Sequence, residues 1–518
     1  ISGAIGLTKS GAGDLTLTNA NSYSGTTTIS AGKLIVSGSG SLGSGSYAGN
    51  IANSGTFQYS SSAAQTLSGI ISGTGALIKD TSTTSTLTLT NTNTYSGNTT
   101  ISAGTLTIGG TGSLGSGSYA GNIVNNGTFK YSSSTAQTLS GIISGTGALT
   151  KDTSSSSTLT LSNGSNSYSG LTTITSGVIS VSSDTNLGTN SGLTFGGGTL
   201  TITGSSAFSS AKNITLSGAG TITNNGSGGA TFSGSITNGS NLLTINGTGD
   251  TTISGVIGSG SGGLTKAGAG TLTLSNTNTY TGTTTISAGT LTFGIANAIA
   301  QSGSVSLANT SGVTLNLGGY DQGIKNLTGG GTSGGNITLG AKKLTVTQTS
   351  GDTYAGVMSG TGGQLTKEGG SQLTLTGSNT YTGATTVNAG TLAVNGTGTL
   401  GGGTYSGALS AADGATFTWT STAAQTFSNL AAGTGTINLN AASGTVTISG
   451  DQAFTGTMNV AQAVTMSGGS NTSVAGLGNA TAININNGGT ITMASGINSN
   501  SFIGNGSHPS LTITINTG

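Results

Sequence analysis

One block of sequence returns almost unchanged further along the chain, and that constrains the fold more than any other feature. Residues 41–76 and 113–148 differ only at Ala52/Val124, Ser54/Asn126, Gln58/Lys130 and Ala63/Thr135. The stretch NANSYSGTTTISAG around Tyr23 keeps the same rhythm, returning as NTNTYSGNTTISAG around Tyr95. Further versions surround Tyr168, Tyr280 and Tyr381, so the successive spacings run 72, 73, 112 and 101. Self-similarity of this kind belongs to solenoids, propellers or arrays of sandwiches. A propeller closes on one blade length, and these unequal spacings argue against it.

Inside the repeat the apolar residues keep a period of two. Leu15 and Leu17 share one face of a strand while Thr16 and Thr18 share the other. KLIVS at 33–37 is ambiguous alone, but its copy TLTIG at 105–109 assigns Leu34 and Val36 to the core and Ile35 to the surface. The Gln58/Lys130 exchange falls between Phe57 and Tyr59 and therefore faces outward. Segments such as SAG, NTNTY and SGTG supply turns every 8 to 12 residues or so. No helical periodicity appears. The expected fold is all-β, a parallel β-solenoid with Gly/Asn/Ser turns and no helical domain. Each 72-residue unit reads as roughly three coils of about 24 residues, and the chain as roughly 20–25 coils.

Composition narrows the function. Of the 518 residues, 98 are glycine, one is proline, none is cysteine and 4% are charged, for a net charge of +1. A nucleic-acid partner is not expected, because no basic stripe is present to neutralise phosphates. Disulfides and thiolate metal sites are excluded. No window reaches the roughly 18 consecutive apolar residues of a membrane helix, and no signal peptide opens the sequence. It begins in mid-motif, since ISGAIGLTK at 1–9 parallels ISGTGALIK at 71–79, as a mature or excised piece of a longer polypeptide would. Near-zero net charge favours association.

The pattern G-L-T-K-x-G-x-G-x-L-T-L-x-x-x-N-x-Y-x-G-x-T-x-I-x-x-G-x-L resembles the autotransporter-associated β-strand repeat. Its clearest copies are GLTKAGAGTLTLSNTNTYTGTTTISAGTLTFG from 263 and GLTKSGAGDLTLTNANSYSGTTTISAGKLIVSG from 6, with others at 77–109, 149–181 and 365–395. The resemblance implies a right-handed parallel β-helix in the passenger region of a large bacterial surface protein, exported and used in adhesion, aggregation or matrix. It also implies a C-terminal membrane barrel. Residues 441–518 are too short for one, so the barrel lies beyond residue 518 or export works differently.

Two sets of residues recur. Tyr23, Tyr95, Tyr168, Tyr280 and Tyr381 read either as sugar-stacking platforms or as corner residues covering the end of the core; packing is the commoner use. Lys9, Lys79, Lys151, Lys266 and Lys367 end the L-x-K strand, and Asp80, Asp152 or Glu368 follows three of them. They read as exposed turn lysines, where ion pairs contribute about 0 to 1 kcal/mol. His508, alone beside Pro509, gives no metal-site signal. The ten acids are scattered and form no catalytic pair, so neither enzyme activity nor a cofactor is expected. Outward T-x-T pairs such as Thr88/Thr90 and Thr105/Thr107 fit an ice-binding array, or simply the preference of threonine for exposed strands.

The units read as 1–80, 81–152, a degenerate 153–260, 261–363, 364–440 and a divergent 441–518, all within one solenoid. The expected role is a structural or adhesive β-solenoid at a bacterial surface, self-associating into a filament, sheath or biofilm matrix. The rival is a monomeric adhesin contacting glycans or cells through 180–260 and 295–350.

Overall fold

Leucine–threonine alternation gives short strands whose inward residues stack coil upon coil. In the computed structural model, which describes residues 1–81, 83–153, 157–189, 192–299, 303–441, 443–467, 480–486, 489–493 and 512–515, nearly all strands pair in parallel. The fold is a β-solenoid of about 22 turns, and the described residues contain no α-helix. It divides into two units, Ile1–Gly258 and Ser259–Gly518.

In the first unit one column runs Leu87, Leu106, Phe129, Leu149, Thr172 and Leu193, each directly opposite the next. All six side chains are buried. Their outward neighbours Thr88, Thr107, Lys130, Thr150, Thr173 and Thr194 form the matching surface column. Leu34 and Val36 are fully buried with Ile35 outside them, and Phe57 and Tyr59 flank an outward Gln58. A strand with branched or aromatic residues inside and threonine outside is well suited to a pleated, half-buried surface.

Each coil has three faces, and its length varies. Successive members of the column are separated unequally, with Leu87 to Leu106 the shortest step of the first three and Leu106 to Phe129 the longest. Three coils run from Leu87 to Leu149, which falls short of Leu159, the equivalent of Leu87 in the next copy of the repeat. The remaining stretch carries the chain along one further face. Successive copies consequently start on different faces. Leu15 lies in the sheet containing Lys33–Gly38 and Thr56–Ser61. Leu87 lies in the sheet of Thr105–Ile108, and Leu159 in that of Gln137–Leu139 and Val178–Val181. A repeat expected to fill three coils therefore fills three and one face of a fourth. Coils shorten wherever the N-x-Y corner replaces a full strand on one face.

The second unit follows the same rules. Leu373, Leu392, Phe417, Ile437, Met458 and Ile483 form a buried column. Outside it, Asn438, Asn459 and Asn484 form an amide ladder with 2.7 Å hydrogen bonds.

Candidate functional site

The signature residues of the repeat turn inward. At the N-x-Y corner Asn93 is buried and ties three levels together. Its Oδ1 accepts from the Ile71 amide below at 2.9 Å, and its Nδ2 donates to the carbonyls of Asn91 and, on the coil above, Ser113. Asn379 repeats this with Met358, Gly377 and Thr399. We expect Asn93→Ala to cost about 1 to 3 kcal/mol, because it orphans the buried Ile71 N–H, while the Asn91 and Ser113 carbonyls keep their backbone donors. Denaturant unfolding of the two proteins measures this, and a loss below about 0.5 kcal/mol would refute the clamp.

Tyr23, Tyr95, Tyr168, Tyr280 and Tyr381 are all buried. Each hydroxyl meets a buried threonine four residues on, as in Tyr95–Thr99 at 2.8 Å and Tyr280–Thr284 at 2.7 Å. In three copies a second tyrosine shares that threonine: Tyr47 on Thr27, Tyr119 on Thr99 and Tyr405 on Thr385. The paired rings meet edge to face, with centroids 5.4 to 5.9 Å apart. Burial pushes these phenols up from their usual pKa. Their rings offer no face to a ligand.

The lysines depart from the sequence expectation. Lys9, Lys79, Lys151, Lys266 and Lys367 are buried rather than exposed at turns, with relative exposures of 0 to 6%. Lys79 stands in a core column between Tyr59 and Ile101, and Lys151 between Tyr131 and Ile174. Their ammonium groups lie 6.0 and 5.7 Å from the centroids of those tyrosines. Each ammonium donates to backbone carbonyls. Lys367 reaches Glu368, Gly369 and, on the next coil, Ala389 at 2.8 to 3.1 Å. Lys9 reaches Ala31, Lys79 reaches Ala103 and Lys266 reaches Ala288, the same alanine of the A-G turn each time. Lys151 has Ser176 at that level and donates to the Asp152 carbonyl at 3.3 Å.

The neighbouring acids point the other way. Asp152 pairs with Lys130 at 2.6 Å, which holds its carboxyl below the ordinary aspartate range. Asp80 accepts from Gln58, and Glu368 from Asn388. The corner tyrosine and the lysine do not meet: Tyr95 bonds to the start of the strand Thr99–Ile101, and Lys79 pairs with its end. Burial lowers the pKa of Lys79 and Lys151, and that of Lys367 to about 8. Among the described residues no three His, Cys, Asp or Glu side chains gather as metal ligands. His508 and Pro509 lie outside the described residues.

A different place, which the repeat pattern does not single out, is a hollow in the surface. In the second unit the strand Gln322–Gly329 pairs with Lys343–Thr347, Gly323 opposite Thr345. Gly323 takes an outward position that side chains fill elsewhere. A polar hollow of about 300 Å³ opens there, lined by Gly323 together with Asn297, Asp321, Gln322, Lys343 and Thr345. Asn297 Oδ1 accepts from the Gly323 amide at 3.1 Å, and Asp321 Oδ1 from the Lys343 amide at 2.9 Å. Tyr320, the chain neighbour of Asp321, is 42% exposed, whereas the other eleven tyrosines are buried. The available signal is a tyrosine in a glycine turn, GGYDQG, in place of N-x-Y-x-G.

The passenger-associated-transport-repeat model matches residues 7–36, 84–108, 154–181, 264–293 and 365–394. Each of those segments contains the corner tyrosine and its threonine, and 7–36, 264–293 and 365–394 also contain the buried lysine. A curated relative, the "Adhesin BmaC autotransporter" of Brucella suis biovar 1 (strain 1330), is 38% identical over 120 residues. That match covers 23% of this chain and 4% of the Brucella protein. No solved structure matches at a significant level. The chain carries autotransporter passenger repeats and is an exported, cell-surface protein.

Proposed function

We propose that this solenoid is the structural and adhesive part of its surface protein, holding a sparsely charged Ser/Thr/Asn surface against glycans or neighbouring cells. One observation carries the reading: the repeat spends its Asn, Tyr, Thr and Lys side chains on clamping coil to coil. The motif therefore builds a scaffold, and recognition falls to outward positions that vary between copies. The adhesin named among its relatives supports this.

Self-association is a second reading, favoured by outward columns such as Thr150–Thr173–Thr194–Thr215–Thr237 that present repeated hydroxyls with no charge. One preparation of the purified chain tests both. Beads coated with it are expected to attach to cells above the level of albumin-coated beads. Sedimentation velocity over a concentration series is expected to show association. Attachment at the albumin level refutes adhesion, and a concentration-independent monomer refutes self-association.

A further inference from the structure

The charge of this chain is not spread evenly. Of its 11 lysines, five are the buried repeat lysines, and Lys212 is buried against Asp184 at 3.1 Å. Five remain towards the surface: Lys33, Lys130, Lys325, Lys342 and Lys343. Lys130 is engaged by Asp152. The last three lie on or beside the paired strands around Gly323. Along one strand the outward positions are Asp321, Gly323 and Lys325; opposite them stand Lys343, Thr345 and Thr347. The hollow is thus bordered by one cation, Lys343, and one acid, Asp321, with Lys325 two residues along the strand from Gly323 and the exposed Tyr320 next to Asp321 in the chain.

The polar walls are preset. Asp321 and Asn297 each commit one oxygen to a backbone amide, which fixes the carboxylate and the amide in place. Asp321 Oδ2 and Asn297 Nδ2 then have no protein partner among the described residues. One accepts and the other donates, the pair of functions that reads a sugar hydroxyl. The Tyr320 ring, amphipathic and partly open, offers an electron-rich face to the C–H face of a pyranose. The volume is at the lower end of the range for small-ligand sites, enough for one or two sugar rings.

We infer that this hollow is a binding site for an acidic glycan, a chain of sugars bearing carboxylate or sulfate groups. Tyr320 stacks on one ring, Asp321 and Asn297 read its hydroxyls, and Lys343 with Lys325 meets the acidic substituents. A neutral glycan leaves the lysines unanswered. A bare anion leaves the ring and the hydroxyl readers unused. The inference rests on the adhesive reading above and gives it a ligand class and a place.

The test is titration calorimetry of the full chain with a heparin-derived hexasaccharide and, separately, with maltohexaose at low salt. The acidic oligosaccharide is expected to bind and the neutral one not. Tyr320→Ala is expected to weaken binding about tenfold, and Lys343→Gln about threefold to tenfold. Gly323→Thr is expected to abolish it, because it restores the strand's usual outward threonine and fills the hollow. Thermal unfolding checks that Gly323→Thr folds, and Tyr320→Ala, at an exposed position, tests the site if it does not. Lys33→Gln and Lys130→Gln are expected to leave affinity unchanged.

The inference is overturned if the hexasaccharide does not bind, if maltohexaose binds as well, or if Tyr320→Ala binds like the unmodified chain. It is also overturned if Lys33→Gln weakens binding as much as Lys343→Gln, which would mean charge attraction alone. Because no cell takes part, failure here leaves bead attachment standing. Failed attachment with intact binding refutes adhesion instead.

Discussion

Replacing Gly97 by alanine is expected to unfold its coil locally, at a cost of about 3 kcal/mol or more. The backbone torsion is not the reason, because Gly97 is not in the left-handed region. The reason is distance. A methyl group at Gly97 would lie 2.2 Å from the Gly75 carbonyl oxygen and 2.5 Å from its carbon. The glycine of Y-x-G makes the same approach in every copy: Gly25 to Ile5, Gly170 to Gly147, Gly282 to Gly262 and Gly383 to Gly362, at 2.1 to 2.5 Å. Backbone on both sides cannot yield as a flexible side chain does, so adjacent coils would have to part.

A solenoid is stabilised largely by neighbour-to-neighbour terms, so the damage belongs in the coils around residue 97 rather than in one global transition. Hydrogen exchange of the amides between about residues 71 and 123 measures it. Gly13→Ala is the control, since nothing lies within 4 Å of a methyl group there. Equal protection in both variants would sink the packing argument.

The buried lysines give an unusual pH dependence. Lys367 releases its proton near pH 8 when folded, against 10.5 for the free side chain, because burial disfavours the ammonium. Between those values the unfolded chain holds the extra proton, and raising the pH favours the folded state. Below about pH 8 both states are protonated and the full cost of the buried cation remains; above 10.5 it is gone. Lys79 and Lys151 are lowered in the same direction.

The buried tyrosines act oppositely. Folded Tyr381 and Tyr405 hold their protons above the usual phenol range, so the unfolded state gains from ionisation once the pH passes about 10. Stability of the coils around 365–394 is therefore expected to rise from pH 7 and peak at about 9 to 10. Lys367 alone accounts for about 2 kcal/mol of that rise. Denaturant midpoints at pH 7, 9.5 and 11 measure the curve, with Lys367→Met removing much of it. A midpoint that falls from 7 to 9.5 would overturn this account.

The lysines also show where sequence and structure diverge. Period-two alternation is readable from the copies: Leu34, Val36, Phe57 and Tyr59 face inward where comparison of 33–37 with 105–109 puts them. The same rule places Lys79 on the face of Leu77. The expectation that lysine stays exposed outweighs it, because the alanine carbonyl that receives the ammonium lies on the next coil. That contact depends on coil length, which the strands do not spell out. Nothing within one repeat marks which of three equivalent faces a strand occupies, so the repeat reads as a whole number of turns. The hollow at Gly323 is harder still. It occurs once, and its character comes from a glycine and from partners on neighbouring coils, Asn297 and Lys343, far away in sequence.

The mismatch between repeat and coil has a genetic consequence. Residues 41–76 and 113–148 are similar enough to invite unequal crossing-over, which removes or adds one whole repeat at a time. In a solenoid with a whole number of coils per repeat, such an event changes only the length. Here each event also turns the following coils of the first unit by one face, a third of a revolution. Three events are needed to restore the original phase. Lineages that differ by one copy would thus keep the same core while presenting the same outward residues on a different side, so that copy number becomes a switch of display as well as of reach.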